Sequence, residues 1–482
     1  MKEEKKIYRF PAGPRDEEDV RAQRGNIRAR LTEAGNSNIH YDDPERFVLC
    51  FMGTTPEDMA VEGYQAFLLA HPNNIGEHTR RIDELGFPGT QRLEQEVIGM
   101  LGDLHGDPEV DGYLSFDGTE ANIQGCWVGR ERLMKTVDDR ESNRVCLLVS
   151  QLCHYSVNKA YRILRLGGGL MLLPTDEKGS VLVPAMESEI RRRYEDGQQR
   201  FLIVAVAGST LLGSVDNVAA IGRMMTRLER EYNRGCASTA KRLGLYLHVD
   251  AAFGGFVTPF LQPPIKVGFN AHPKVSSMTI DPHKMGLMPY PAGAFLCRDG
   301  LIEEVKSQVG YVGGHGDVTL SGSRPGAAAA ACWAGLKILG RRSYEEKVKR
   351  CMEVLRFLEE RMASMREIRL YPPTLNVLAF AILDERFNKA LDLLDKVESS
   401  GLHYDESLPS DFPEEFRSVT ERYRRLQKKY ILVSDAVPSD LGNVKSPPIR
   451  IVRFVLMPHQ WLLEKGEQVF NSFLAEFRSL FN

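Results

Sequence analysis

Long apolar runs are missing from this sequence. None approaches the ~20 residues that a membrane-spanning helix needs, so we expect no contact with a membrane. The chain starts with Met-Lys-Glu-Glu-Lys-Lys, which is too charged for a secretory signal. Basic residues form no stripe and the formal net charge is only −3, which argues against nucleic acid as a partner. These absences predict a cytoplasmic protein.

Cysteine pairs of the kind that bind metals or form redox centres are also missing. The eight cysteines are scattered without a Cys-x-x-Cys pair, and most lie in apolar contexts, as reduced core residues do. No spacing of His, Cys, Asp and Glu is typical of a metal site, so we predict no metal.

The composition is that of an ordinary globular protein. Of 482 residues, 43% are apolar and 26% are charged, which is enough material for one large and one smaller domain. Between residues 110 and 300, apolar strands alternate with helical segments, and this order is typical of a parallel, doubly wound α/β sheet. Such sheets bind ligands beyond the carboxyl ends of their strands.

The stretch 245–297 carries the most chemical information. An apolar strand ends at Asp250, and the small residues that follow it allow a flat ring to approach the backbone. A second apolar strand leads to Lys284. Pyridoxal phosphate needs an acid at its pyridine nitrogen and a lysine at its aldehyde, so Asp250 and Lys284 are predicted to hold that cofactor.

Two segments of this stretch, His248-Val-Asp-Ala-Ala-Phe-Gly-Gly255 and Thr279-Ile-Asp-Pro-His-Lys-Met-Gly286, resemble the group II pyridoxal-phosphate decarboxylases. Among them, the similarity is greatest to the archaeal L-tyrosine/L-aspartate decarboxylase group. The resemblance implies the aspartate aminotransferase fold, or fold type I. It also implies a large domain with a mostly parallel seven-stranded sheet, and a smaller C-terminal α+β domain. We expect an N-terminal arm at 1–60, the large domain at 61–340 and the small domain at 341–482.

Further cofactor contacts follow from motifs at other strand ends. The turn at Gly118 and Thr119 opens a helix whose free N–H groups suit an anion, and it resembles the family's phosphate-binding turn. By the same resemblance, His154 stacks on the cofactor ring and Thr210 contacts it near its phenolic oxygen. Ala252 and His283, which lie beside Asp250 and Lys284, complete the predicted set.

A glycine-rich segment, 309–317, predicts a mobile flap. In the resembling decarboxylases a flap tyrosine protonates the α-carbon, and Tyr311 holds that place here, with His315 as the rival donor. The turn at Gly322 and Ser323 matches the one that reaches the phosphate of a neighbouring subunit. The resemblance thus implies a homodimer with shared active sites.

Two residues are candidates for holding the substrate. Asn74 lies in a Pro- and Gly-rich loop similar to the segment that lines the family's substrate pocket, although an asparagine can equally cap its own loop. Arg453, in an apolar strand, is a candidate for binding the substrate carboxylate, with a structural ion pair as the alternative.

The predicted activity is decarboxylation of an L-amino acid, either aromatic such as tyrosine or acidic such as aspartate, to the amine and CO2. An aldehyde-lyase similar to sphingosine-1-phosphate lyase is the first alternative, because Gly322-Ser-Arg-Pro-Gly326 resembles that enzyme too. A non-catalytic scaffold is the second alternative, and the intact Lys284, Asp250 and His154 argue against it.

Weaker patterns outline the small domain. A capping box at Ser343–Glu346 predicts the start of a helix that bridges to it. Beyond it we expect a charged loop at 403–428 and the following regular elements: a strand at 375–383, a helix at 387–397, strands at 430–433 and 449–457, and a final helix at 460–481.

Overall fold

The computed structural model describes residues 16–76, 86–135, 144–236, 238, 241–308, 316–399, 407–432 and 434–481. Within these ranges the helices are α1 Glu17–Asn36, α2 Asp58–Ala66, α3 Pro88–Leu104, α4 Gly118–Met134, α5 Tyr155–Leu164, α6 Val183–Glu195, α7 Val218–Asn233, α8 Gly326–Met362, α9 Glu385–Ser399, α10 Glu414–Lys429 and α11 Gln460–Arg478. The strands are β1 Phe47–Val48, β2 Asn73–Asn74, β3 Asp111–Tyr113, β4 Val145–Ser150, β5 Leu170–Leu173, β6 Arg200–Val206, β7 Gly244–Ala251, β8 Val275–Ile280, β9 Ala294–Cys297, β10 Arg324–Pro325, β11 Ile368–Leu370, β12 Val377–Ile382, β13 Tyr430–Ile431, β14 Ser434–Pro438 and β15 Pro448–Val455.

A seven-stranded sheet forms the centre of the large part of the molecule. Its strand order is β3-β9-β8-β7-β6-β4-β5. The five strands from β8 to β5 run parallel, and β9 pairs antiparallel with both β8 and the edge strand β3. Strands β4 and β6 are buried along their whole length, which explains why their sequences are nearly continuous apolar runs. The prediction of an α/β fold with a mostly parallel, seven-stranded sheet is confirmed.

A second, antiparallel sheet lies in the C-terminal part of the chain, with the order β11-β12-β15-β14. Its helices α9, α10 and α11 pack over it and share a separate apolar core that includes Phe380, Phe454 and Phe473. The α8 helix runs for 37 residues and departs from helical geometry at Gly340 (φ 55°). The domain boundaries at residues 60 and 340 stay predictions.

One prediction in this region is confirmed and one is wrong. Non-helical geometry at Gly340 divides α8 into two helices, and the capping box at Ser343–Glu346 lies at the start of the second helix, as predicted. The predicted charged loop at 403–428 contains most of α10. This helix is strongly charged, but Val419, Tyr423 and Leu426 are buried at helical spacing, and that face packs against α9 and α11.

The first helix stands apart from the rest of the fold. All of α1 is described, and none of its residues is buried; Ile27 and Leu31 are exposed. Among the described residues, no helix is long and apolar enough to cross a membrane.

Candidate active site

A cavity of about 160 Å³ lies where β4, β6, β7 and β8 end. It brings together eight of the residues predicted to bind the cofactor, although they come from separate strand ends. Its walls contain Met52, Asp117, Gly118, Thr119, Asn122, His154, Tyr155, Val206, Gly208, Ser209, Thr210, Asp250, Ala252, Phe253, Asp281, His283, Lys284 and Tyr290. Because the carboxyl ends of parallel strands meet at one edge, side chains far apart in the sequence converge there.

Lys284 is paired with a carboxylate in this cavity. Its Nζ lies 2.9 Å from Oδ2 of Asp281, three residues earlier in the turn after β8. Burial by itself lowers the pKa of Lys284, but the charge of Asp281 and the hydrogen bond to it raise that pKa, and the net result is above the ordinary value. The amine is therefore held as an ammonium ion at neutral pH.

Asp250 is fixed by a buried chain of hydrogen bonds. The amide nitrogen of Asn122 donates to Oδ2 of Asp250 over 3.0 Å, so the amide oxygen of Asn122 is left to accept from Nε2 of His248, also over 3.0 Å. Burial lowers the pKa of His248 to about 4, so this ring is neutral and its Nδ1 accepts from the Ser277 hydroxyl. The chain of contacts holds the Asp250 carboxylate at the cavity wall.

His154 is joined to the same network. The Asn122 amide also donates to the Ser156 hydroxyl over 2.9 Å, and that hydroxyl lies 2.9 Å from Nδ1 of His154. Burial lowers the pKa of His154, so its ring is neutral near pH 7. Asn122 thus orients both His154, which is predicted to stack on the cofactor ring, and Asp250, which is predicted to bind the ring nitrogen.

The start of α4 forms part of the cavity wall. Asp117 caps this helix by accepting from the Glu120 N–H over 2.9 Å, as expected for an acid at that position. A side chain at Gly118 would place its Cβ 2.6 Å from Oδ2 of Asp281 and 3.1 Å from Cβ of Ala252, so only glycine fits. The free N–H groups of this turn face a site that stays open for an anion.

These residues fit pyridoxal phosphate. Asp250 suits the pyridine nitrogen, Lys284 the aldehyde, His154 one face of the ring and the Gly118 turn the phosphate. The buried Oδ1 of Asp281 has no hydrogen-bond partner within the described residues, as expected of a group that awaits a ligand.

Comparison with known proteins identifies the family. Residues 75–380 match the pyridoxal-dependent decarboxylase conserved domain. A probable L-tyrosine/L-aspartate decarboxylase of Methanocella arvoryzae is 37% identical over 353 residues, which is 73% of this chain and 83% of that protein. This chain belongs to the pyridoxal-dependent decarboxylase family. The predicted family, the cofactor pyridoxal phosphate and the reaction class, decarboxylation of an amino acid, are confirmed for this enzyme.

Solved structures agree on the fold of this decarboxylase. The L-methionine decarboxylase of Streptomyces sp. 590 has a TM-score of 0.68 at 20% identity, over 97% of this chain and 96% of that one. The sphingosine-1-phosphate lyase of Burkholderia pseudomallei has a TM-score of 0.66 at 18% identity, over 99% of this chain and 96% of that one. Both likenesses show the fold alone, so they do not separate decarboxylase from lyase.

Four predicted site residues of the decarboxylase lie away from this cavity. Asn74 is buried, and its amide donates to Glu94 over 2.6 Å and accepts from Thr90 over 2.7 Å. Arg453 donates to Asp435 over 2.9 Å and to the Cys50 carbonyl over 3.1 Å. Both side chains thus have internal partners, and their roles in binding the substrate stay predictions. The other two residues are Gly322 and Ser323, which lie near the surface beside β10.

The predicted proton donors, Tyr311 and His315, lie outside the described residues. Among the residues that have no role in the sequence-based prediction are Asn122, Asp281 and Tyr290 of the cavity wall, and Ser156 behind it. Asn122, Ser156 and Asp281 belong to motifs that mark the family, so their positions were visible although their contacts were not. Tyr290 stands between two prolines, a pattern typical of a plain turn, so no local pattern indicated its place in the site.

Proposed function

We propose that this decarboxylase acts in the cytoplasm, as a homodimer, on an aromatic or an acidic L-amino acid. The observation that carries the proposal is the convergence of Lys284, Asp250 and His154 on one cavity. The named substrates of the Methanocella arvoryzae relative, tyrosine and aspartate, support the two side-chain classes. The catalytic roles below rest on geometry and on the resemblance of the motifs.

When bound, pyridoxal phosphate supplies an electron sink for the pair of electrons that is released as the Cα–carboxylate bond breaks. Asp250, whose carboxylate Asn122 holds at the cavity wall, would bind the ring nitrogen and stabilise that sink electrostatically. His154 would lie against one face of the ring, and the small side chain of Ala252 would leave room for it. Thr119, Thr210 and His283 complete the proposed contacts.

Lys284 carries the cofactor between turnovers and must lose a proton to do so. Asp281, 2.9 Å from its Nζ, is the group placed to take part in that proton's movement. Tyr311 or His315 then returns a proton to the α-carbon in the proposed reaction. Arg453 or Asn74 is proposed to hold the substrate, which would require either side chain to exchange its present partners.

The proposed homodimer is supported by α1 and by the turn before β10. Most of the stability of a helix in a protein comes from the packing of one of its faces, yet α1 buries none of its described residues. A second subunit would supply the surface that α1 lacks. Gly322 and Ser323 are near the surface, as the proposal requires if they reach the phosphate in the neighbouring subunit.

The test measures release of carboxyl-labelled CO2 from a panel of L-amino acids, together with any aldehyde product. We expect CO2 from the wild-type holoenzyme and a loss of at least about a thousandfold in kcat for Lys284→Ala, since removal of a covalent-catalysis residue costs that much in other enzymes. Lys178→Ala, at an exposed turn lysine, is the matched control and should retain activity. Aldehyde without CO2 would instead establish the lyase.

A further inference from the structure

The charges that line the active-site cavity are mostly negative. Asp117, Asp250 and Asp281 contribute three carboxylates, against one ammonium group, Lys284, which is already paired with Asp281. Burial lowers the pKa of His154, one of the two histidines in the wall, so it adds no positive charge near neutral pH. An acidic substrate side chain would therefore find no unpaired cation among the described lining residues, and Asp117 and Asp281 would repel it.

The second histidine, His283, behaves in the same way. Burial lowers its pKa, and its Nδ1 lies 2.7 Å from the Ala292 carbonyl, which fixes Nδ1 as the protonated, donating nitrogen of a neutral ring. The ring of Tyr290 lies against it, with the centroids 4.1 Å apart and the planes inclined by 32°. His283 therefore supports an aromatic neighbour and does not attract an anion.

Two tyrosine rings and a methionine form the rim of the cavity. Tyr290 and Tyr155 line it while 64% and 57% exposed, respectively. Tyr155 lies against His154 at 4.1 Å between centroids, so each rim tyrosine packs on one of the two histidines. Met52 adds a flexible, polarisable side chain to the same wall. Exposed rings at the mouth of a cavity offer faces and edges to another flat group.

The backbone around Tyr290 is restricted on both sides. Pro289 and Pro291 flank it, and proline fixes its own φ while limiting the residue that precedes it. The backbone of Tyr290 is thus restricted, and the contact with His283 orients its ring, so less conformational entropy is lost when a ligand packs on it.

We propose that Tyr290, together with Tyr155 and Met52, forms the subsite for the substrate side chain and that this subsite takes an aromatic side chain in preference to an acidic one. Tyr290 is in this view a specificity-determining residue of the decarboxylase. The inference rests on the proposed function, because it decides between the two substrate classes named there.

Binding of amino-acid esters to the holoenzyme tests this inference separately from the reaction. L-Tyrosine methyl ester and L-aspartate α-methyl ester both lack a free α-carboxylate, so neither can lose CO2, and they differ only in the side chain. Their dissociation constants are read from the absorbance change of the bound cofactor. We expect the tyrosine ester to bind about tenfold or more tightly, the combined effect of a ring contact and of avoided charge repulsion.

Substitutions at Tyr290 then test whether this side chain causes the preference for the tyrosine ester. Tyr290→Ala should weaken the tyrosine ester about tenfold while leaving L-alanine methyl ester unchanged, and Tyr290→Phe should retain binding of L-phenylalanine methyl ester. Tyr290→Arg should tighten the aspartate ester about tenfold, because it introduces the missing cation. Tyr232→Ala, at a tyrosine on α7 outside this cavity, is the matched control and should bind all esters as the wild type does.

Two results would overturn the inference. One is an aspartate ester that binds the wild-type enzyme as tightly as the tyrosine ester. The other is a Tyr290→Ala variant that weakens every ester equally, which would make Tyr290 a support for His283. A wrong proposed function would give a different result. The tyrosine ester would still bind more tightly than the aspartate ester, but no amino acid would yield CO2.

Discussion

Asp281 is the residue whose charge controls the state of Lys284. Replacing it with asparagine removes the negative charge that raises the pKa of the lysine, so the pKa should fall and the neutral amine should be present at lower pH. We expect Asp281→Asn apoenzyme to attach pyridoxal phosphate at lower pH than the wild type does. The rate of the absorbance change after cofactor is added, followed across the neutral and alkaline range, measures this shift.

The control for this experiment is Asp117→Asn. Asp117 lines the same cavity, and asparagine caps a helix about as well as aspartate does, so the fold should be kept. Its pH profile should match that of the wild type. Equal shifts in both variants would mean that general charge in the cavity, rather than the Asp281–Lys284 contact, sets the behaviour of the lysine.

Asn122 orients both Asp250 and Ser156, and through Ser156 also His154. In Asn122→Ala, the Oδ2 atom of Asp250 loses its amide partner and the carboxylate is free to turn. We expect kcat to fall by about tenfold or more, and the free energy of unfolding by about 1–3 kcal/mol, since buried partners are left unsatisfied. Steady-state kinetics and urea denaturation measure the two effects.

Gln124→Ala is the control that distinguishes a loss of kcat due to the misorientation of Asp250 from one due to lower stability of the protein. Gln124 is buried on the same helix and donates to the Val318 carbonyl over 2.8 Å, away from Asp250. Its loss should lower stability to a similar extent and leave kcat within about threefold of the wild type, because distant sites act independently. Comparable kcat losses in both variants would contradict the orienting role of Asn122.

At the scale of elements, one buried ion pair connects α3 to the short strand β10. Arg324 and Glu94 are both buried; Glu94 also accepts from the Leu114 N–H over 2.7 Å and Arg324 donates to the Leu114 carbonyl over 3.1 Å. The pair therefore connects α3 with β10, and through Leu114 both are joined to the segment between β3 and the Gly118 turn.

Breaking this pair should be costly. Glu94→Ala leaves an uncompensated guanidinium and should lower the free energy of unfolding by about 3–5 kcal/mol, measured by urea denaturation. The double variant Glu94→Leu with Arg324→Met removes both charges and should recover part of that loss. A double variant that is as unstable as the single one would show that the hydrogen bonds to Leu114, and not the charges, stabilise these elements.

Elements differed in how well the sequence predicted them, and burial explains the difference. The strand predicted at 375–383 is β12, Val377–Ile382, because a fully buried strand is apolar throughout. The helix α10 was missed because its charged residues outnumber the few that reach the core. The second half of α8 was predicted because its capping box is a local motif, which lies just after the kink at Gly340.

For the whole molecule, the homodimer is the central prediction. Sedimentation of the holoenzyme at micromolar concentration should give twice the mass of one chain. Substituting Ile27→Glu and Leu31→Glu on α1 should shift the population toward monomer, because charge would enter the face that we expect to be covered. The pair Glu17→Lys and Arg21→Glu on the same helix is the control for charge changes elsewhere on α1. A wild-type monomer would contradict the prediction.

The sequence by itself determined the cofactor and a set of residues that line one cavity. Asp250, Lys284, His154 and Gly118 each lie in a short motif at the end of an apolar strand, and such motifs are local: the strand, the turn and the key residue are contiguous. Because parallel strands end at a common edge, the local pattern was sufficient to predict that these residues converge, as they do in one cavity.

Only the tertiary structure decided which partners the other side chains take. Asn74 hydrogen-bonds to Glu94, Arg453 pairs with Asp435, and the Tyr290 ring meets the edge of the cavity. These contacts join residues from different elements, and their distances depend on how helices and sheets pack, which no local pattern specifies. The preference that we infer for an aromatic substrate depends on the same packing, since it arises from the sum of charges and rings that the fold gathers around one space.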